Sequence, residues 1–186
     1  MEEVVSGLIH EILYLRKMYP EQAFKRNLVL GCPCWTAEPE DICNYIATVV
    51  QAIKLHLDKR NLKAVHLAIS SPKFGLQQVF SFNFQQTQGP AKDTGLEAYF
   101  QAFIWKLNYA CVSLDDLPFD SDPDISWRVY MDLYNYQPKT EAAVQPPLVL
   151  SSQEDVTIED SYLTPVHTLY TDNLKFELVV HEKESR

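Results

Sequence analysis

Two neighbouring stretches with one-sided apolar faces limit what this chain can fold into more than any other feature. In "LKAVHLAIS" (62–70), Val65, Leu67 and Ile69 share a face, as residues two apart do on a strand. In "QQVFSFNF" (77–84), Phe80, Phe82 and Phe84 do the same. The spacer "SPKFG" holds Pro72 and Gly75 and predicts a hairpin. Such a face has to be buried against another layer. Three stretches with helical spacing can supply it. Val4, Val5, Leu8, Ile12 and Leu15 form the first stripe, with Arg16 and Lys17 on a wetter side. Pro20 is expected to end that helix, because a proline pushes the preceding residue out of the helical region. Pro39 suits a first helical position and leads into Ile42, Ile46, Val49, Ile53 and Leu57. Thr94 and Glu97 read as a capping box ahead of Leu96, Phe100, Phe103, Leu107 and Cys111.

Residues 21–38 read as irregular, with a short extended piece around "NLVLGCPCW". "LDDLPFDSDPD" reads as an acidic turn region. In "ISWRVYMDLYN" (125–135), Ile125, Trp127, Val129, Met131 and Leu133 share a strand face. Residues 136–147 carry three prolines and no periodicity, the pattern of a loop. "YLTPVHTLY" and "NLKFELVV" are two closing strands, with "TDN" between them short enough for a hairpin turn. Helices and strands come in runs rather than in strict alternation. That order predicts a single α+β domain over 1–186, with helices packed on one antiparallel sheet.

A chain of 186 residues with 46% hydrophobic and 22% charged residues can bury a real core. Its net charge of −9 argues against direct binding to a nucleic-acid backbone, leaving any such contact to a partner. No apolar run approaches the roughly 20 residues that cross a bilayer, so no membrane partner is expected. The acidic start "MEEVV" lacks the basic opening of a signal peptide. The nucleus or cytoplasm is the expected location, and Cys32, Cys34, Cys43 and Cys111 are expected as reduced thiols.

Catalytic and metal patterns are weak. Cys32-Pro-Cys34 lacks the second pair that a structural zinc site uses, so no metal is expected there. Asp120, Asp122 and Asp124 imitate the start of a calcium loop, but Ile125 and Met131 stand where the loop needs Gly and Glu. A solvated turn is the expectation. The five histidines are scattered, and five glycines leave little for a phosphate-cradling loop; no cofactor is expected. Acid pairs such as Asp115-Asp116 keep an enzyme with an unrecognised acidic site as a remote alternative.

"ILYLRKMYPEQAFKR" resembles the first-helix signature of HORMA-domain proteins, I-L-Y-x-R-x-x-Y-P-x-x-x-F. Ile12, Leu13, Tyr14, Arg16, Tyr19, Pro20 and Phe24 match it. The signature does not separate checkpoint members from translesion-polymerase members. The tail "SSQEDVTIEDSYLTPVHTLYTDNLKFELVVHEK" is similar to that of the noncatalytic HORMA subunits of DNA polymerase zeta. The matches are Asp155, Val156, Leu163, Pro165, Thr168, Asp172, Leu174 and Lys175. The resemblance implies three helices on an antiparallel sheet, with a core over about 1–136 and a mobile C-terminal seatbelt over about 137–186. The seatbelt would entrap a partner segment that adds to a sheet edge as a strand. Tyr19-Pro20 is expected to be structural, placed where the chain leaves the helix.

By the same resemblance, Tyr45 matches a tyrosine that lines the peptide groove. Leu148 stands where the family has a tryptophan that packs on the peptide, and Leu150 is a second apolar belt residue. Leu163 matches a leucine that meets the C-terminal domain of a scaffold translesion polymerase, a deoxycytidyl transferase. Glu177 and Val179 stand where that surface has Gln and Tyr. Gln101 replaces an arginine of the HORMA–HORMA pairing surface, which makes self-pairing less expected. The implied partners are the catalytic subunit of DNA polymerase zeta, the scaffold polymerase, another HORMA protein and a remodelling ATPase. Little chain precedes the first helix; this implies either an open state that is hard to form or an internal start. The expected function is a non-enzymatic adaptor in translesion synthesis and DNA repair. A spindle-checkpoint or autophagy HORMA adaptor is the alternative.

Overall fold

The computed structural model describes residues 1–86, 95–134, 149–150, 156–171 and 174–184. Among them are helices α1 (Glu2–Leu15), α2 (Glu40–Asp58) and α3 (Leu96–Ser113). The strands are β1 (Phe24–Val29), β2 (Cys32–Ala37), β3 (Leu62–Ser71), β4 (Gly75–Gln86), β5 (Ser126–Leu133), β6 (Val149–Leu150), β7 (Ser161–Tyr170) and β8 (Leu174–Lys183). Six of them make one sheet in the order β6-β5-β3-β4-β8-β7, while β1 and β2 form a separate hairpin. All pairs are antiparallel except β5 with β6, which run parallel over two residue pairs. The α+β class holds, and so does the β3–β4 hairpin.

The alternation in β3 and β4 does what it predicts. Val65, Leu67, Ile69, Phe80, Phe82 and Phe84 are all buried, joined by Phe176, Leu178 and Val180 of β8. Phe103 of α3 lies 5.2 Å from Phe176, centroid to centroid, so the third helix seals this face. The first helix departs from its expected stripe. Every residue from Gly7 to Leu13 is buried, including His10 and Glu11. A helix enclosed on all sides must satisfy its polar groups internally. The Glu11 carboxylate accepts from the Trp35 N–H at 2.7 Å and from the Asn108 amide at 3.1 Å. His10 Nδ1 accepts from the Ala37 N–H at 3.2 Å. The β1–β2 hairpin is thereby tied to α1 by side chains.

Gly7 marks the tightest approach inside this cluster: a Cβ there would sit 2.7 Å from the Phe100 ring. Phe100 is fully buried and has no room to retreat. Gly7→Ala is expected to destabilise by about 1–2 kcal/mol, overpacking outweighing the roughly 1 kcal/mol gain in helix propensity. Urea unfolding midpoints would check this, and a stabilised variant would overturn it.

Four expectations need correction. Pro20 does not end α1: the helix stops at Leu15 and closes with Lys17 at φ 54. There the Met18 N–H reaches the Leu13 carbonyl and the Lys17 N–H the Tyr14 carbonyl, a Schellman closure with lysine in the glycine position. The segment 21–38 is not irregular, because Leu30 and Gly31, both at positive φ, make a two-residue turn between six-residue strands. The N-cap of α3 is Gly95, without a side-chain cap bond; Thr94 lies outside the described residues. The acidic turn is not simply solvated. Asp122 is 6% exposed and takes bonds from the Ser71 hydroxyl and the Lys73 N–H, pinning the β3–β4 turn. The Ser71 bond holds its carboxyl below the usual carboxylate range.

Candidate functional site: the free edge of β5

Strand β5 lies between β3 and the two-residue β6. On the β6 side only Tyr130 and Met131 are paired, with Val149 and Leu150. Ser126–Val129 has no ladder partner on that side among the described residues. The Val129 N–H points out of the sheet and donates to the Tyr45 hydroxyl at 3.1 Å. Tyr45 comes from α2, on the turn beside buried Ile46 and Val49, and is half-buried; burial pushes its phenol pKa up, so it stays neutral. Its ring meets Trp127 edge-on, with centroids 5.1 Å apart at 88°. The Trp127 indole N–H donates in turn to the Tyr19 hydroxyl at 2.9 Å. Tyr45, Trp127 and Tyr19 therefore line the unpaired half of β5. The sequence resemblance gives Tyr45 as a groove-lining residue without placing it beside β5, the strand pattern puts Trp127 on the apolar face, and Tyr19 is expected there to be structural.

After β6 the chain has to reach β7, which lies at the opposite edge of the sheet. The described part of this connection lies on the face that the helices leave bare. Val156 and Ile158 pack there against Ala68 of β3, Val79 of β4 and Tyr130 of β5. This is the path of a strap laid over the sheet. Leu150 lies in β6 opposite Met131. Leu148 and the whole of the expected loop at 136–147 lie outside the described residues.

The other expected site residues lie elsewhere. Leu163 sits in β7 opposite His181, and Glu177 and Val179 sit in β8, all on the sheet face away from the helices. Leu163 is exposed, Glu177 accepts from the Thr168 hydroxyl at 3.2 Å, and Val179 is buried. Gln101 lies on the outer face of α3. It leads a row the sequence reading missed: Trp105, Tyr109 and Val112 are 73%, 82% and 87% exposed. Their spacing of four and three residues puts them on one helix face, a signal that could have been found by asking which apolar positions fall off the buried stripe.

One arrangement imitates hydrolytic chemistry. His66 Nδ1 lies 2.8 Å from the Ser81 hydroxyl, and Nε2 lies 3.5 Å from the Asp132 carboxylate. The approach of His66 holds the Asp132 pKa down. A nucleophilic serine must be reachable by a carbonyl and face free oxyanion donors. Ser81 is 3% exposed, mid-strand in β4 between β3 and β8, where the backbone N–H groups are used by the ladders. The trio ties three strands together rather than attacking a substrate. Cys34 is buried, and burial pushes its thiol up to about 11. Among the described residues no three His, Cys, Asp or Glu side chains are grouped to hold a metal ion.

The sequence model of the HORMA domain matches residues 1–102, more than half of the chain. The chain belongs to the HORMA-domain family. Curated relatives over nearly its whole length are the mitotic spindle assembly checkpoint protein MAD2B of Homo sapiens and of Rattus norvegicus. The human protein is 26% identical, spanning 97% of this chain and 88% of its own length. The rat protein is 25% identical, spanning 98% and 89%. Among solved structures, a chain of the mitotic checkpoint complex superposes with a TM-score of 0.81 at 17% identity, covering 99% of this chain and 97% of that one. Caenorhabditis elegans HTP-2 bound to a HIM-3 closure motif gives 0.78 at 14%, covering 100% and 89%. The fold expected for a HORMA domain, helices on one face of the sheet, is the fold observed.

Proposed function

We propose that this HORMA protein is a non-enzymatic adaptor that entraps a segment of the catalytic subunit of DNA polymerase zeta. The segment adds as a strand to β5, and residues of about 137–186 close over it as a seatbelt while 1–136 form the core. The observation that carries this reading is the half of β5 that has no ladder partner on its β6 side among the described residues, where the outward Val129 N–H donates to the Tyr45 hydroxyl. Exposed strand edges recruit other strands unless they are covered. The strap at Val156 and Ile158 supports the belt, and the closure motif on HTP-2 supports peptide capture as the mode. The tail matches named in the sequence support the polymerase subunit as the partner and the nucleus as the place of action, with a further presence in the cytoplasm. Leu163 is the exposed residue that would meet a scaffold polymerase. Spindle-checkpoint membership is the second reading, favoured by the MAD2B relatives, which are called spindle assembly checkpoint proteins, and by the checkpoint-complex neighbour.

Immobilised full-length chain, incubated with nuclear extract, is expected to retain the zeta catalytic subunit, and a form ending at residue 136 is expected to lose it. Retention of checkpoint proteins instead would move the chain to the second reading. Tyr45→Ala should weaken capture about tenfold or more, as truncating a buried aromatic anchor does. Tyr45→Phe should bind as well as or better than the parent, since it keeps the ring and frees the Val129 N–H for the partner's carbonyl. Full affinity in Tyr45→Ala would remove β5 as the site.

A further inference from the structure

We infer a side-chain subsite at the leading end of β5 that selects a large uncharged residue, aromatic or aliphatic, in the captured segment. The inference rests on the strand-addition reading. A cleft of about 590 Å3 opens beside Ile125, the residue that leads into β5. The larger part of its wall is apolar, with Tyr14, Met18, Tyr19, Phe119 and Ile125 among its residues. That volume is in the range of small-ligand clefts, so a large side chain fits without rearranging the core. Met18, Tyr19, Phe119 and Ile125 are each only half-buried, so the described residues leave part of each side chain open. Lys17 and Glu21 stand at the rim with opposite charges, leaving no net field to attract an ionised side chain.

Continuity with the edge names the occupant. Tyr19 is both a wall of the cleft and the acceptor of the Trp127 indole N–H, and Trp127 is in turn the neighbour of Tyr45. A strand laid on β5 opposite Val129 therefore runs along Trp127 and ends over the cleft. Four residues separate Val129 from Ile125, about 13 Å of extended chain. The selected residue is the one about four positions from that facing Val129, on the end of the segment pointing toward Ile125. A second partly apolar cleft, lined by Leu28, Val29, Ile46 and Val50, lies between α1, α2 and the β1–β2 turn, and no β5 residue lines it. The one beside Gln78 is lined by Asp115, Asp116, Glu182 and Glu184, and it is remote from β5 in the sheet order.

The test uses the full chain and peptides selected on it from a random display library. Selected peptides are expected to share one large apolar position. Its truncation to alanine should weaken binding about tenfold to the parent protein, but less than about threefold to Phe119→Ala, because the two changes remove the same contact. Pro123→Asp, at the exposed mouth of the cleft and away from the core, should weaken the same peptides and leave the melting temperature unchanged. Equal losses in parent and Phe119→Ala, with Tyr45→Ala still abolishing binding, would overturn the subsite and leave strand addition standing. Peptides indifferent to Phe119→Ala and Tyr45→Ala alike, or no selected peptides at all, would overturn both.

Discussion

Arg16→Leu is expected to lower the unfolding free energy by about 3–5 kcal/mol, the cost of breaking a buried charge-assisted network by removing one partner. The sequence pattern places Arg16 at the wet end of an amphipathic helix. The structure instead buries it to 6% exposure under the end of α3. One guanidinium nitrogen donates to the Cys111 carbonyl at 3.2 Å, and another donates to the Asp115 carbonyl. Cys111 lies in the last turn of α3, where carbonyls have no partner within the helix and the dipole favours a cation. Burial pulls the Arg16 pKa down from its ordinary value, while Glu182, Asp115 and Asp116 nearby favour the charged form. Leucine would fill part of the volume and take the buried donor from the Cys111 carbonyl, at about 1–3 kcal/mol, while the Asp115 carbonyl would keep only its bond from the Gln78 amide. Arg16→Lys should recover less than half, since one ammonium cannot reproduce the planar fork. Urea titration with an unchanged slope would read the loss directly. A loss below about 1 kcal/mol would mean that α3 does not depend on this cap.

Acidification from pH 7 toward pH 4 should destabilise the fold by about 3 kcal/mol through His10 alone. Burial drives its pKa from 6.5 down to about 4. The imidazole is held neutral, with Nδ1 accepting from Ala37, and the unfolded chain takes up the proton first. The His10 contribution is therefore fully present above pH 6.5 and is lost as pH falls through about 4, near 1.4 kcal/mol per pH unit over that window. His167 and His181, also lowered chiefly by burial, act in the same direction. Glu182, whose pKa burial raises, acts in the opposite one. His10→Asn keeps a side-chain acceptor without a titrating proton. Its stability profile should be flatter than the parent's between pH 6.5 and 4. Parallel profiles would show that His10 is not the group that titrates.

The candidate site was partly legible in the sequence. Tyr45 was named by resemblance, and the free half of β5 follows once β6 is known to pair with only two of its residues. Nothing local marked Trp127 as part of the edge. It falls on the apolar face of an alternating strand, and only the lie of α2 and the α1–β1 connection brings Tyr45 and Tyr19 to its ring. The Trp105, Tyr109 and Val112 row was passed over for a related reason. A helix rich in aromatics all round has no dry side until its neighbours are known.

By itself the sequence determined the three helices, the five longer strands of the main sheet, the β3–β4 hairpin, the buried faces of that sheet and the family signature. Each of these depends on spacing between neighbours along the chain, which periodicity carries directly. Tertiary structure decided where the polar groups of α1 go, that Asp122 is buried, that β5 keeps an open edge and that Val156 and Ile158 lie on the bare face of the sheet. Those outcomes join residues far apart in sequence. Arg16 meets Asp115 and Ser71 meets Asp122, so desolvation and hydrogen bonding at each place depend on segments that no local window contains.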